Sequence, residues 1–212
     1  MSINDFKKTK LLYKEFKNLG YDSKLIFKKA KTKFEILSSL SFFLTIMASE
    51  ILLNQPIKKK INIIHNNFLY KFMSKDSKKV DRVEINSFSF SLFMILQKLF
   101  KEEETFEQYA DQIINLSFCH WSQIQKINEK QYLQKKNNIF KLWNENKLIV
   151  FSKIDSSKID LIISLYKSFE VGIGNKEIIK KNIAVLGFSI SKVFKEFRYD
   201  VINEFKKKEK II

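Results

Sequence analysis

Cys119 and His120 stand side by side, and they are two of the only three residues in the chain that are cysteine or histidine. A thiol beside an imidazole suggests nucleophilic attack or metal ligation. Spacing argues against both. Neighbouring residues on a helix point about 100° apart, so these two side chains cannot close on one ion. His65, the other histidine, lies in no HExxH pattern, and neither histidine has a glutamate three residues before it, as di-iron bundles require. Nothing in the pattern supplies Cys119 with a base and an orienting group, and an isolated cysteine in an apolar helix ordinarily serves packing. No catalytic residue, metal or cofactor is expected. The chain also lacks a GxSxG elbow, a Walker-type phosphate loop and a GxGxxG fingerprint. The Gly172–Asn175 stretch could place an anion at a helix N-terminus, but two glycines with no clear strand before them read as a connecting turn.

Charge is the other candidate for function. The sequence carries 39 basic residues against 23 acidic ones, a formal net charge of +16, and Arg82 and Arg198 are its only arginines. Lysine is a flexible point charge, whereas arginine makes the bidentate contacts that read guanine edges. The surplus therefore points to phosphate attraction without base reading, and part of it matches the residue bias of an AT-rich genome. Two basic patches stand out. Lys58, Lys59, Lys60, Lys71, Lys78, Lys79 and Arg82 form the first, with Lys75 adding to a local charge of +6 between Pro56 and Arg82. Lys126, Lys130, Lys135 and Lys136 form the second, interleaved with Trp121, Tyr132, Phe140 and Trp143. Such interleaving could stack bases along a strand; equally, the aromatics could face a core and the lysines water. The Gly20–Phe34 segment opens like a helix-turn-helix but lacks the small residue of its second turn.

These residues need a scaffold, and composition names it. With 21 Phe, 4 Gly and a single Pro in 212 residues, helix breakers are scarce and long side chains abundant. The expected fold is all-α, a bundle of about seven or eight helices around a Phe/Leu/Ile-rich core. The chain reads as one helical domain over 1–212, with a weaker division at the polar linker 74–79. Its centre is the apolar helix near residues 36–53, ILSSLSFFLTIMASEILL. Two readings compete for that run. It is just long enough to cross a bilayer, yet Ser41, Thr45, Ser49 and Glu50 interrupt it, which favours burial in protein.

In chain order, a first helix is expected from Ser2 or Asn4 to Asn18 or Leu19, buried through Leu11, Leu12 and Phe16 and stopped by Gly20. Asp22 or Ser23 then caps one long helix carrying the central run, with a kink or break near Phe34 and its end before Pro56. A basic helix over 57–73 follows. The next helix buries Phe88, Leu92, Ile95, Leu96 and Leu99, and Thr105 with Gln108 resembles a capping box amid an acidic patch. Ser117 could cap a long segment running to Trp143, within which Lys135–Asn138 is a turn or an exposed helical stretch. The β-branched run Leu148–Ser152 is the one candidate extended piece. A helix ending at Phe169 and a last helix over 176–207, buried through Ile179, Ile183, Leu186 and Phe194, complete the chain, and the tail from Lys206 is expected to fray.

The functional reading is a non-catalytic helical binding protein whose basic surface engages an anionic partner: nucleic acid, ribonucleoprotein or an acidic protein surface. Alternatives are a membrane-associated protein inserted through 36–53, and an enzyme with a pocket inside the bundle. One cysteine precludes an intramolecular disulfide, and MSINDFKKTK has no apolar stretch of the kind a secretory signal needs, so the cytoplasm is the default location.

Overall fold

The computed structural model describes residues 3–53, 77–152, 190–195 and 201–210. Within them the elements are α1 (Ile3–Asn18), α2 (Ser23–Lys29), α3 (Lys33–Leu53), α4 (Ser77–Glu102), a 3-10 helix (Glu104–Tyr109), α5 (Ala110–Ile124), α6 (Glu129–Phe151) and α7 (Asn203–Glu209). Residues 190–195 are also helical, and no strand occurs among the described residues. The architecture is an all-α multi-helix bundle. The expected helix over 57–73, the helix ending at Phe169 and residues 176–189 of the last helix lie outside the described residues.

Helix ends follow from local chemistry. α1 stops in a Schellman motif: the Tyr21 N–H donates to the Phe16 carbonyl at 2.9 Å and the Gly20 N–H to Lys17 at 3.0 Å. Gly20 (φ 62°) and Tyr21 (φ 59°) both take the left-handed conformation. Asp22 caps α2 by accepting from the Leu25 N–H at 2.9 Å. The expected single long helix is in fact two. Ala30 turns extended, and Thr32 and Glu35 form a reciprocal capping box that starts α3: the Glu35 N–H donates to Thr32 Oγ1, while Glu35 Oε2 accepts from the Thr32 and Lys31 N–H groups. The hydrogen bond from the Lys31 N–H, helped by that from the Thr32 N–H, holds the Glu35 carboxyl below its usual pKa against the opposing effect of partial burial.

The described residues divide into two compact units. The first comprises 1–47, 105–138 and 194–212; the second comprises 48–104 and 139–193.

In the first unit the central apolar helix is wrapped by protein. Every residue from Ile36 to Ser49 is buried except half-buried Ile46, and a helix with no polar face must be covered on all sides. Some of its hydroxyls bond locally and across to α5: Thr45 Oγ1 donates to the Ser41 carbonyl at 2.7 Å and reaches that of Ser117 at 3.1 Å, and Ser117 Oγ donates back to the Ser41 carbonyl at 3.3 Å. Ser41 Oγ and Ser49 Oγ are buried without a partner among the described residues. Ser117 is thus a mid-helix contact of α5 and not a cap, because α5 begins at Ala110. Among the described residues, no helix is long and apolar enough to cross a membrane. α1 buries Phe6, Thr9 and Phe16. Leu11, expected inside, is 67% exposed, since the buried positions recur at 6, 9 and 16 and leave 11 on the opposite side.

Residues 104–109 form a 3-10 helix, so Thr105 and Gln108 do not start an α-helix. Nor does the tail fray at Lys206. Phe205 is fully buried, with its ring 5.0 Å from that of Phe106. Lys208 Nζ donates to the carbonyls of Lys28 (3.3 Å) and Ala30 (3.1 Å), a cation placed at the negative end of α2.

In the second unit, Phe88, Leu92, Ile95, Leu96 and Leu99 of α4 are all buried as expected. Trp143 lies 5.2 Å from Phe93 and 5.7 Å from Phe151, ring to ring. The Leu148–Ser152 run is not extended: it closes α6, with Leu148 78% exposed and Val150 buried. Residues 77–79 of the expected linker are the first turn of α4, where helical backbone hydrogen bonding extends ahead of the apolar segment.

Truncation of Phe205 to Ala should cost about 3–5 kcal/mol, the usual range for a buried phenylalanine. Urea unfolding followed by circular dichroism measures it. A change below about 0.5 kcal/mol would show that the tail does not dock.

Candidate functional site

α5 places Cys119 and His120 in the core, where Ile113 to Ser122 are buried without a gap. From adjacent positions they meet different partners. Cys119 Sγ lies 3.3 Å from Tyr132 Oη on α6. Tyr132 Oη donates at 3.5 Å to Asn115 Oδ1, and Asn115 Nδ2 donates at 3.1 Å to Asp5 Oδ2 on α1. His120 turns towards α3 instead, where its Nε2 is 2.9 Å from Ser38 Oγ. Its ring packs between Phe16 and Phe42, centroids 5.7 and 5.3 Å away.

Burial sets the protonation states. It pushes the Cys119 thiol up to about 11 and raises Tyr132, with the neighbouring thiol adding to the effect. Burial also drives His120 down to about 3, against a smaller opposing effect from Ser38. Near neutral pH both groups are uncharged. A cysteine needs its thiolate to attack, and at a pKa near 11 only about one in 10⁴ is ionised at pH 7. The Ser38–His120 pair has the geometry of a nucleophile and base, but His120 Nδ1 has no hydrogen-bond partner among the described residues, and a triad uses that atom for its orienting acid. Both side chains are 0% exposed. The arrangement cross-links α1, α3, α5 and α6. Among the described residues, no group of three or more His, Cys, Asp or Glu could hold a metal ion.

The lysines lie elsewhere. Lys126, at a left-handed turn (φ 54°) between α5 and α6, is exposed, as is Lys130 on the first turn of α6. Lys135 and Lys136 are half-buried on the same helix. The interleaved aromatics have gone inward: Trp121, Tyr132 and Trp143 are buried and Phe140 is half-buried. A base-stacking platform on Trp121, Tyr132 and Trp143 is therefore closed off. Of the other patch, Lys78, Lys79 and Arg82 lie on α4, with Lys78 and Arg82 one turn apart on one face. Lys58, Lys59, Lys60 and Lys71 lie outside the described residues.

A third basic stretch did not stand out in the sequence. Between Met1 and Glu35 ten lysines face four acidic residues, and all ten are exposed. Lys7 approaches Glu129 at 3.8 Å and Lys29 approaches Glu15 at 3.6 Å. Solvent-exposed pairs of this kind contribute at most about 1 kcal/mol, so they position helices more than they hold them. The signal was available in the three- and four-residue spacing of the lysines, on a stripe set apart from Phe6, Thr9 and Phe16. It was hidden because the short patches elsewhere are denser.

No family model, curated protein or solved structure matches this chain.

His120 makes stability depend on pH. Its folded pKa lies below the unfolded value of about 6.5, so protons favour the unfolded chain. Stability from this residue is complete above about pH 6.5 and is lost as pH falls towards 3. The expected slope is one proton, on the order of 1 kcal/mol per pH unit. Glu35, with its lowered pKa, loses stability in the same direction, but only as pH falls through its own, more acidic range. Urea midpoints between pH 6.5 and 5 should therefore fall in the native chain and stay level in His120→Gln. Equal slopes in the two would exclude His120 as the cause.

Proposed function

We propose that this chain is a non-catalytic helical binding protein that uses exposed lysines to engage an anionic partner, with nucleic acid the foremost candidate. One observation carries the reading: positive charge is placed outward without compensation, while the polar groups capable of chemistry are spent inside. Lys10, Lys14, Lys17, Lys24 and Lys28 are exposed and carry no ion pair among the described residues. Leaving five like charges this close is unfavourable to the fold by itself, and a polyanion relieves the repulsion. Cys119 and His120, by contrast, are neutral and enclosed. The alternative of membrane insertion through 36–53 finds no support in the burial of Ile36 to Ser49 by surrounding protein.

Lysine in place of arginine favours phosphate attraction over base reading. Binding should then be tolerant of sequence and sensitive to salt. Purified in low salt, the chain is expected to carry nucleic acid, seen as a raised ratio of absorbance at 260 nm to that at 280 nm, and to shed it in high salt. Reversal of Lys58, Lys59 and Lys60 to Glu should lower the amount carried. A chain that holds no nucleic acid in low salt, and binds neither added duplex nor an acidic resin, would overturn the reading.

A further inference from the structure

We propose that the outer face of α1, extended by α2, is a docking surface for the sugar-phosphate backbone of duplex nucleic acid. The inference rests on the anionic-partner reading and assigns it a place and a ligand class. Lys7, Lys10, Lys14 and Lys17 recur at three- and four-residue steps, so they line one side of α1 over a span of about 15 Å. That side lies about 100° around the helix from Phe6, Thr9 and Phe16, which are buried, and all four lysines are exposed. Lys24 and Lys28, four apart, repeat the arrangement on α2. The Lys29–Glu15 pair at 3.6 Å shows that the end of α2 lies beside the last turns of α1. The Lys7–Glu129 pair at 3.8 Å joins the other end of the column to the first turn of α6, the turn that also carries exposed Lys130. Two helices and the first turn of a third thus present cations from one compact unit.

The ligand class follows from what accompanies the charges. Single strands are held by stacking successive bases on a series of aromatic faces; Trp121 and Tyr132 of this unit are buried, and Tyr21, 39% exposed between α1 and α2, is a lone ring. A duplex hides its bases and offers one phosphate charge per about 1.7 Å of axis, which suits a row of lysines with no stacking platform. Protein interfaces depend on a central cluster of aromatic or aliphatic anchors, and beside these lysines the exposed aliphatics are the separate side chains Ile3 and Leu11 on α1 and Leu25 on α2. An anionic membrane would take up an apolar helix face. α1 has already turned its apolar face into the core, leaving Ile3 and Leu11 as the large hydrophobics exposed on it.

The test uses the full chain with a mixed-sequence DNA duplex and measures affinity over a salt series. If four or five of these lysines meet phosphates, the slope of log affinity against log salt is about −4. In the triple variant Lys10→Gln, Lys14→Gln, Lys17→Gln, the slope should shrink by about 3 and affinity should fall on the order of 100-fold near 0.1 M salt. Circular dichroism confirms that the variant is folded, as exposed positions permit. Leu11→Ser should leave duplex affinity unchanged. Duplex binding that survives the triple variant intact would overturn this surface while leaving the anionic-partner reading standing. Binding only to vesicles of phosphatidylserine and phosphatidylcholine, lost in Leu11→Ser, would overturn the ligand class. Binding to neither duplex nor vesicles would overturn both this inference and the reading beneath it.

Discussion

A helix buried on every face needs protein all round it, and α3 is such a helix from Ile36 to Ser49, half-buried Ile46 apart. Everything placed near it answers to that constraint. Its serines and threonines would each cost on the order of 1–3 kcal/mol if stripped of water without a partner. Ser39 and Thr45 are instead bonded to carbonyls of α3 itself or of α5, and Ser41 and Ser49 are the two hydroxyls of the run left without a partner among the described residues. Short hydroxyl side chains let α3 and α5 exchange hydrogen bonds at Ser41, Thr45 and Ser117, and the large phenylalanines fill the space to either side. The core therefore combines close helix contact with aromatic bulk, and α1 needs to contribute only a narrow stripe.

This division of labour explains why the polar core is quiet. Ser38–His120 and Cys119–Tyr132–Asn115–Asp5 resemble the parts of an active site when their residue types are named one by one. Burial keeps the imidazole and the thiol neutral, and each then bonds a neighbouring helix. Buried, neutral and bonded groups specify which helices meet and in what register. The outward lysines carry no such duty, which leaves them available to solvent or to a ligand.

How much of this could be read from sequence varied with the range of the interaction responsible. The end of α1 at Gly20, the inward face of α4 and the buried central run all follow from local spacing, and they were legible. The Thr32–Glu35 capping box was equally local, but the apolar run that begins one residue later dominated the pattern and joined two helices into one. Leu148–Ser152 misled because a short β-branched run has the same periodicity in a buried helix as in a strand. The His120 environment was not legible, because Ser38 lies 82 positions away. Leu11 went to water since α1 offers two apolar stripes, and only contact with α5 selects between them. For the candidate surface, residue type was legible and exposure was not: Lys135 and Lys136 look like Lys126 and Lys130 in sequence, yet only the latter two are fully exposed.

The contact between Lys208 and the end of α2 joins residues separated by 178 and 180 positions. The first unit is assembled from three separate stretches of chain, the last beginning at Phe194. A growing polypeptide therefore carries α1, α2 and most of α3 through the synthesis of more than about 150 further residues before Phe205 and Lys208 exist. Until then the apolar helix lacks part of its cover. At ribosomal speeds of about 5–20 residues per second, that interval lasts on the order of 10 s or more. The interval in which α3 is most exposed to aggregation or to capture by chaperones therefore closes only when Phe205 and Lys208 have been made.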